Sequence, residues 1–342
     1  MIGFRKYKML SAGPEPDPFP QDYITLTFAS FDALAFDIND PAAWNQELSA
    51  HGSNTDFTNV LVDGLTVKLA GNLNVPTNFS ATYLEITSVE LSKLESLEIL
   101  SLEGNLLAEI DFIQIYKDQL TSVNLNYNFL INIDLSILLT APLLYLSLDG
   151  NQLQNIELTG LTKLEQLLCS YNELTTVHFE GNEALVYVAL TNNKLLEIQL
   201  SPCPILEELH CSHNSQLSDL GIVQNYNLKV LYATHCNFVG SFSLSSCRNI
   251  TTLALHHNHI SELTELNELT DINLVGFLLN NNDLTYDFIE SLIFYLLLGA
   301  YTPPYIYMNF GNNAAIQGLP AEPKYWQLRN AYGVDIRCNP FY

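Results

Sequence analysis

Hydrophobic residues recur along the middle of the chain in one fixed frame. The stretch LEILSLEGNLL (97–107) has the pattern L-x-x-L-x-L-x-x-N-x-L, and eight further copies follow it. YIYMNFGNNAA (305–315) is a weaker tenth copy. From one copy to the next the Asn position advances by 21 to 24 residues up to Asn282. A recurrence this regular predicts a repeat architecture.

Each copy predicts one short strand, with the two apolar residues of its L-x-L segment pointing inward and the residue between them outward. A single copy cannot bury its apolar side, so the copies are expected to stack with their strands parallel. The residue that closes the frame lies where the chain turns inward. Its side chain can bond backbone groups that would otherwise be buried unpaired. We call this column the asparagine ladder; it comprises Asn105, Asn128, Asn151, Asn172, Asn193, Asn214, Cys236, Asn258 and Asn282.

The segment ahead of the repeats predicts β structure. Alternating apolar and polar residues in 23–38 predict a strand, and AAWNQEL after Asp40-Pro41 predicts a short helix. The stretch 57–72 predicts two strands around a turn at Asp63-Gly64. We therefore expect a β-rich N-terminal cap over 21–83.

The repeats are expected over 84–284, and the character of the chain changes after them. TYDFIESLIFYLLLGAY (285–301) predicts a buried helix with Thr285 or Asp287 as N-cap. The stretch 322–338 predicts a second helix followed by a short strand. We expect 285–342 to form a helical C-terminal cap that contains the degenerate last repeat.

The first twenty residues form a different kind of segment. MIGFRKYKML contains basic residues and no acidic one, and the following SAGPEPDPFPQD is rich in proline. This composition predicts an extended arm over 1–20, which is either a disordered end or a tether that docks to a larger assembly. The start lacks the apolar core of a secretory signal, and no apolar run is long enough to span a bilayer.

The frame and its spacing resemble the leucine-rich repeat family over about 84–284. The fragments ITLTF, WNQEL and FTNVLVDGLTVKLAGN also resemble the N-terminal flank of some repeat proteins of Bacteroidetes and their phages. Copies such as LEQLLCSYNEL are similar to the repeats of that group. The resemblance implies an α/β solenoid, a right-handed superhelix with parallel strands on one face. It also implies a bacterial surface or virion as the setting.

The charge of the chain limits its partners. The formal net charge is -24, with 37 acidic and 13 basic residues. Such a protein repels phosphate backbones and anionic lipids, so we expect neither nucleic acid binding nor membrane insertion.

No phosphate-binding loop, nucleophile elbow, HExxH or EF-hand pattern is present in the sequence. We therefore predict a protein that is not an enzyme and uses no cofactor.

Six histidines and two cysteines lie close together in LHCSHN (209–214), YATHCN (232–237) and LALHHNHI (253–260), a composition that suggests zinc. The repeat frame separates the two residue types. Cysteines occupy inward or ladder positions, whereas His213, His235 and His257 each precede a ladder position and point outward. We expect buried free thiols and a solvated column of stacked histidines. The alternative is a weak transition-metal site formed by those three histidines.

Aromatic residues occupy outward positions where the fold does not require them. Tyrosine is favoured at recognition surfaces because it combines apolar area with a polar tip, although it also simply suits strands. We predict a recognition module that binds a protein or a glycan through its strand face. The alternative is a structural component of a larger assembly, such as a virion, anchored by the arm. The candidate ligand-binding residues are Tyr127, Tyr145, Tyr171, Tyr187, His210 and Tyr232.

Overall fold

The protein is described by a computed structural model. The described residues are 23–30, 38–50, 57–71, 78–91, 93–94, 96–110, 118–222, 225–245, 247–265, 276–285, 287–288, 291–292, 307–311, 313 and 335–337. The arm at 1–20, Cys338 and most of the predicted C-terminal helices lie outside them.

An antiparallel sheet of four strands forms the N-terminal part. Its order is β2-β3-β1-β5, where β1 is Ile24–Phe28, β2 is Phe57–Asp63, β3 is Thr66–Gly71 and β5 is Ile86–Glu90. Helix α1, Pro41–Ala50, begins after Asp40, whose Oδ1 accepts a hydrogen bond from Ala42 N at 2.9 Å. The predicted strand, helix and hairpin in this region are thereby confirmed.

A parallel sheet of twelve strands runs through the rest of the described chain. All nine predicted copies and the weak tenth copy contribute one strand each, so the parallel solenoid is confirmed. The strands are β4 Asn78–Ser80, β6 Ile99–Ser101, β7 Ser122–Asn124, β8 Tyr145–Ser147, β10 Gln166–Leu168, β12 Tyr187–Ala189, β13 Glu208–His210, β14 Val230–Tyr232, β16 Thr252–Ala254, β18 Gly276–Leu278, β19 Tyr307–Asn309 and β20 Asp335–Arg337.

Shorter elements complete the turns of the solenoid. Strand β9, Asn155–Glu157, pairs with β11, Thr176–His178. Strand β15, Val239–Ser243, pairs with β17, His259–Thr264, and both of these pairs are parallel. A 3-10 helix covers Leu135–Leu138.

The two large sheets interleave in the chain, so the expected boundary at 83/84 does not separate them. Strand β4 precedes that boundary but pairs with β6 of the parallel sheet. Strand β5 follows the boundary but pairs with β1 of the antiparallel sheet. The copy that contains β4 escaped the sequence pattern because it has Phe79, Ala81 and Leu84 where later copies have two leucines and an asparagine.

The predicted helix at 285–301 is described only in part. Residues 287–288 and 291–292 are helical. The hydroxyl of Thr285 accepts a hydrogen bond from Phe288 N at 3.2 Å, as expected of an N-cap. The remainder of this helix, and the helix expected within 322–338, stay predictions. In the described part of the chain, no helix has both the length and the apolarity to cross a bilayer.

The asparagine ladder bonds each repeat to the one before it. Asn193 is representative: its Oδ1 accepts from Leu174 N at 3.0 Å, and its Nδ2 donates to Cys169 O at 2.9 Å and Leu190 O at 3.0 Å. Every asparagine of the ladder is buried. Asn313 of the weak copy makes the same bonds with Leu284 N and Leu279 O. The predicted ladder is therefore confirmed.

The described cysteines belong to the core, as expected. All five are buried free thiols: Cys169, Cys203, Cys211, Cys236 and Cys247. Burial raises the pKa of each, to about 12 for Cys203 and Cys247 and to about 11 for Cys236. These thiols are poor nucleophiles and poor metal ligands in the folded protein.

Candidate recognition surface

Each strand from β6 to β18 in the long sheet places its first and third residues outward and its middle residue in the core. We call the surface formed by those outward residues the strand face. The parallel register aligns equivalent residues side by side. The first residues form one row, Tyr145, Gln166, Tyr187, Glu208 and Val230. The third residues form a second row, Ser147, Leu168, Ala189, His210 and Tyr232.

Three aromatic rings from these two rows lie next to one another on β12, β13 and β14: those of Tyr187, His210 and Tyr232. The ring centroids of Tyr187 and His210 are 5.2 Å apart, and those of His210 and Tyr232 are 4.9 Å apart. The rings are tilted by 40° and 38° rather than stacked flat. Tyr232 is 36% exposed, and Tyr187 and His210 are partly exposed. We call Tyr187, His210 and Tyr232 the aromatic cluster.

Tyr145 extends the aromatic surface by two strands. It lies in the same row as Tyr187, with Gln166 of β10 between them. Burial raises the pKa of the Tyr187 hydroxyl, and the neighbouring Glu208, Asp149 and Tyr145 raise it further. Tyr187 therefore stays a neutral phenol that can donate a hydrogen bond.

Two carboxylates border the aromatic cluster, and sequence reasoning missed both. The carboxylate of Glu208 lies 3.5 Å from Nε2 of His210. Asp149 is partly buried, and burial raises the pKa of its carboxyl although Ser170 N donates to Oδ1 at 2.5 Å. The alternation along β13 was the available signal, because it places Glu208 on the same side as His210.

The strand face is less evenly exposed than the sequence predicted. Ser147, Ala189 and Ala254 occupy outward positions, yet all three are buried. All three have short side chains. On β8 and β12, a buried small residue therefore shares the strand with a partly exposed tyrosine.

Tyr127 and Tyr171 do not lie on the strand face, contrary to the prediction. Each directly precedes a ladder residue and has a positive φ, of 52° for Tyr127 and 55° for Tyr171. We call these pre-ladder residues the turn column. The left-handed turn directs the Tyr127 ring over the next repeat, where a Cβ on Gly150 would lie 2.5 Å from ring atom Cδ1. Both tyrosines are more than half exposed, but at the edge of the sheet.

The predicted histidine stack occupies the same turn column. The ring centroids of His213 and His235 are 4.3 Å apart, those of His235 and His257 are 4.1 Å apart, and both pairs are stacked. All three histidines have a positive φ, between 55° and 58°. The stack is therefore confirmed, and its cause is a repeated backbone conformation at each turn.

His256 adds a partly buried ring beside this stack. Burial lowers its pKa to about 4, and the nearby His257, His235 and His213 act in the same direction. Its Nδ1 is buried without a hydrogen-bond partner among the described residues. Burial also lowers the pKa of His235. Where the structure describes the chain, no three His, Cys, Asp or Glu residues form a group that could hold a metal ion.

A small open cavity lies away from the strand face. It has a volume of about 250 Å³ and is bordered by the segment 218–222 and strand β15. Asp219 is the acidic residue of its lining, and Val239 is 70% exposed at its rim. An open cavity of this size encloses little of a ligand, so it is a weaker candidate than the strand face.

No protein-family model matches the sequence and no curated protein matches it. Solved structures are similar to the chain in fold. The leucine-rich repeat domain of APL1B aligns with a TM-score of 0.55 and 20% identity over 68% of each chain. Toll, from the Drosophila Toll–Spatzle complex, aligns with a TM-score of 0.53 and 15% identity over 72% of this chain and 42% of the other.

A leucine-rich repeat protein of Leptospira interrogans aligns with a TM-score of 0.48 and 23% identity over 68% of this chain. The aligned part spans 65% of the Leptospira protein, just under two thirds of its length.

Proposed function

We propose that this leucine-rich repeat solenoid is a non-enzymatic recognition module that binds a protein through its strand face. The observation that carries the proposal is the aromatic cluster. Its rings lie partly exposed on the sheet surface, where the core does not need them. Tyrosines in such positions tend to dominate binding energy because they bring large apolar area with little loss of conformational entropy.

The shape of the surface supports binding rather than catalysis. The parallel rows form an open sheet, and catalysis favours a concave site from which water is excluded. Tyr187 remains a neutral phenol, and the buried thiols are inaccessible, so neither supplies an activated nucleophile.

The neighbours in fold support a protein as the ligand. Toll was solved as a complex with Spatzle. We therefore place a protein ahead of a glycan as the ligand of this chain. We propose a bacterial surface or a phage particle as the setting, in which the module acts as an adhesin.

We propose that the flanking segments close the ends of the solenoid. Trp44 of α1 and Leu26 of β1 belong to the same continuous apolar core as Phe79 and Leu100 of the first repeats. An N-terminal cap would protect those residues and the sheet edge from solvent. The buried Phe288 and Leu292 support the same role for the helix after the last strong repeat.

A screen of protein and glycan arrays with the purified chain tests the function. We expect a protein ligand whose binding weakens by about 30-fold or more when Tyr145, Tyr187 and Tyr232 are all replaced by alanine. Glu157→Ala is the control, because Glu157 is exposed on β9, outside the long sheet. If the triple variant bound the ligand as tightly as the parent, the strand face would not be the binding site.

Deletion of 1–20 distinguishes the structural alternative. If the arm anchors the protein in an assembly, this deletion abolishes incorporation while the triple tyrosine variant incorporates normally. We expect the reverse for ligand capture: the deletion leaves it intact, and the tyrosine substitutions abolish it.

A further inference from the structure

The strand face carries several carboxylates and few basic side chains. From β6 to β18, the outward strand residues and the residues two positions after each strand include Glu103, Asp149 and Glu208, but no lysine or arginine among those described. The residues just ahead of the strands add Glu98, Glu165, Glu207 and Lys229. Lys229 Nζ already pairs with Glu207 at 2.7 Å. The surface therefore lacks cations that could satisfy its other carboxylates.

Glu208 lies where its charge and the aromatic rings act on the same space. Its side chain is 44% exposed, and its carboxylate lies 3.5 Å from the ring of His210. The rings of Tyr187 and Tyr232 flank that histidine at 5.2 and 4.9 Å. Because the rings are tilted rather than stacked flat, they do not cover one another's faces completely.

A lysine or arginine side chain is the group that this arrangement fits best. A cation over a tyrosine face is attracted by the ring quadrupole, and a carboxylate beside it adds a charge-assisted hydrogen bond. Arginine combines both because its planar guanidinium stacks on rings and donates to carboxylates. Asp149, partly buried at the edge of the same surface, would also gain from a nearby positive charge.

Other partner surfaces fit less well. An acidic segment would meet Glu103, Asp149 and Glu208 with like charge, which suppresses binding at a close interface. A purely apolar segment would bury the carboxylate of Glu208 without a partner.

We infer that the partner is a polypeptide segment that presents lysine or arginine side chains, and that these dock between Glu208 and the aromatic cluster on β12, β13 and β14. This inference rests on the proposed function and names the chemistry of the partner that the strand face recognises. It also assigns Glu208 a direct role in selecting that partner.

A peptide titration tests the inference with the full chain. The probe is a short peptide in which arginine alternates with serine, and its control has glutamine at every arginine position. We expect the arginine peptide to bind and the glutamine peptide to fail. Equal binding of the two peptides would overturn the inference.

Charge-matched variants separate the cluster from general attraction by the acidic chain. Glu208→Gln and Glu180→Gln remove the same charge, and Glu180 is exposed outside the strand face. We expect Glu208→Gln to weaken binding of the arginine peptide by about three- to tenfold and Glu180→Gln to change it less than twofold. Equal losses would show that net charge alone attracts the peptide, and the inference would be wrong.

An aromatic pair gives the second readout. Tyr232 is 36% exposed and Tyr226 is 43% exposed, but the ring of Tyr226 lies under Arg248. Tyr232→Leu should weaken peptide binding by about three- to tenfold, whereas Tyr226→Leu should leave it unchanged. Denaturant midpoints of all four variants confirm that each is folded.

Failure of this inference is distinguishable from failure of the proposed function. If a protein ligand from the array depends on the three tyrosines but not on Glu208 or on its own basic residues, the strand face binds and the cationic partner is wrong. If that ligand is indifferent to the tyrosines as well, both are wrong.

Discussion

The asparagine ladder and the strand face run through the same repeats a few residues apart, yet they differ in variability. The ladder contains asparagine at every strong copy except one, because each residue satisfies the same buried backbone groups. The strand face places serine, leucine, alanine, histidine and tyrosine at equivalent positions. Positions that the fold constrains are uniform, so the variable outward positions are where a partner can be specified.

The one departure in the ladder follows from a local insertion. The copy at 206–217 has one extra residue, and Leu217 N bonds to Asn214 O at 2.9 Å. Leu217 N therefore does not depend on the next ladder residue as its acceptor. Cys236 donates weakly to Cys211 O at 3.5 Å, and a thiol suffices there.

The largest expected effect tests the ladder itself. Asn193→Ala should lower the free energy of unfolding by about 2–3 kcal/mol, because buried Leu174 N loses its acceptor and the carbonyls of Cys169 and Leu190 each lose one of their donors. Thr191→Ala, two residues earlier, should change it by less than about 0.5 kcal/mol. Denaturant unfolding of the two variants measures the difference, and coincident midpoints would contradict the role of the ladder.

The partly buried His256, which lies beside the turn column, should make the stability of the protein respond to pH. In the folded protein the pKa of His256 is lowered to about 4, whereas an unfolded histidine titrates near 6.5. The unfolded chain therefore binds the proton first as the pH falls. We expect the contribution of His256 to the free energy of unfolding to be constant above about pH 7. It should decline between about pH 6.5 and 4, by on the order of 1–2 kcal/mol.

Unfolding of the parent and of His256→Gln across that range measures the contribution of His256. The variant should lose less stability on acidification, and His235 accounts for part of what remains, because its pKa is also lowered. Identical pH profiles of the two proteins would show that the environment of His256 does not disfavour its charged form.

A smaller loss of stability is expected at the one ladder position that is not asparagine. Cys236→Ala should lower the free energy of unfolding by less than about 1 kcal/mol, because Leu217 N bonds to Asn214 O rather than to the thiol, and the thiol is only a weak hydrogen-bonding group. The contrast with Asn193→Ala is the result to measure by denaturant unfolding. A loss as large as that of Asn193→Ala would mean that Asn214 O does not replace a ladder side chain as the acceptor for Leu217 N.

The last prediction is that the buried thiols do not react with a thiol reagent in the folded protein. The five described thiols should not be labelled by a thiol reagent in native buffer, since burial raises their pKa values. Unfolding should make all five reactive, as shown by the masses of the labelled peptides. Rapid labelling of any of them in the folded protein would contradict its place in the core.

The repeat frame allowed the sheet, the ladder and the buried thiols to be predicted, because all three depend on which residues recur at a fixed interval. The first repeat at β4 was missed because its frame residues are Phe79, Ala81 and Leu84. The positions of Tyr127 and Tyr171 were wrong because alternation alone does not reveal the left-handed turn that follows each strand.

The sequence by itself determined the solenoid, since apolar residues at a regular interval have one efficient way to be buried, which is to stack. It also determined which residues face outward on each strand. Only the tertiary structure decided which of these outward residues meet. Tyr187, His210 and Tyr232 lie in three different repeats, and Glu208 joins them through the parallel register of β12, β13 and β14. Proximity between repeats depends on strand register and side-chain tilt, which the spacing of residues along the chain does not contain.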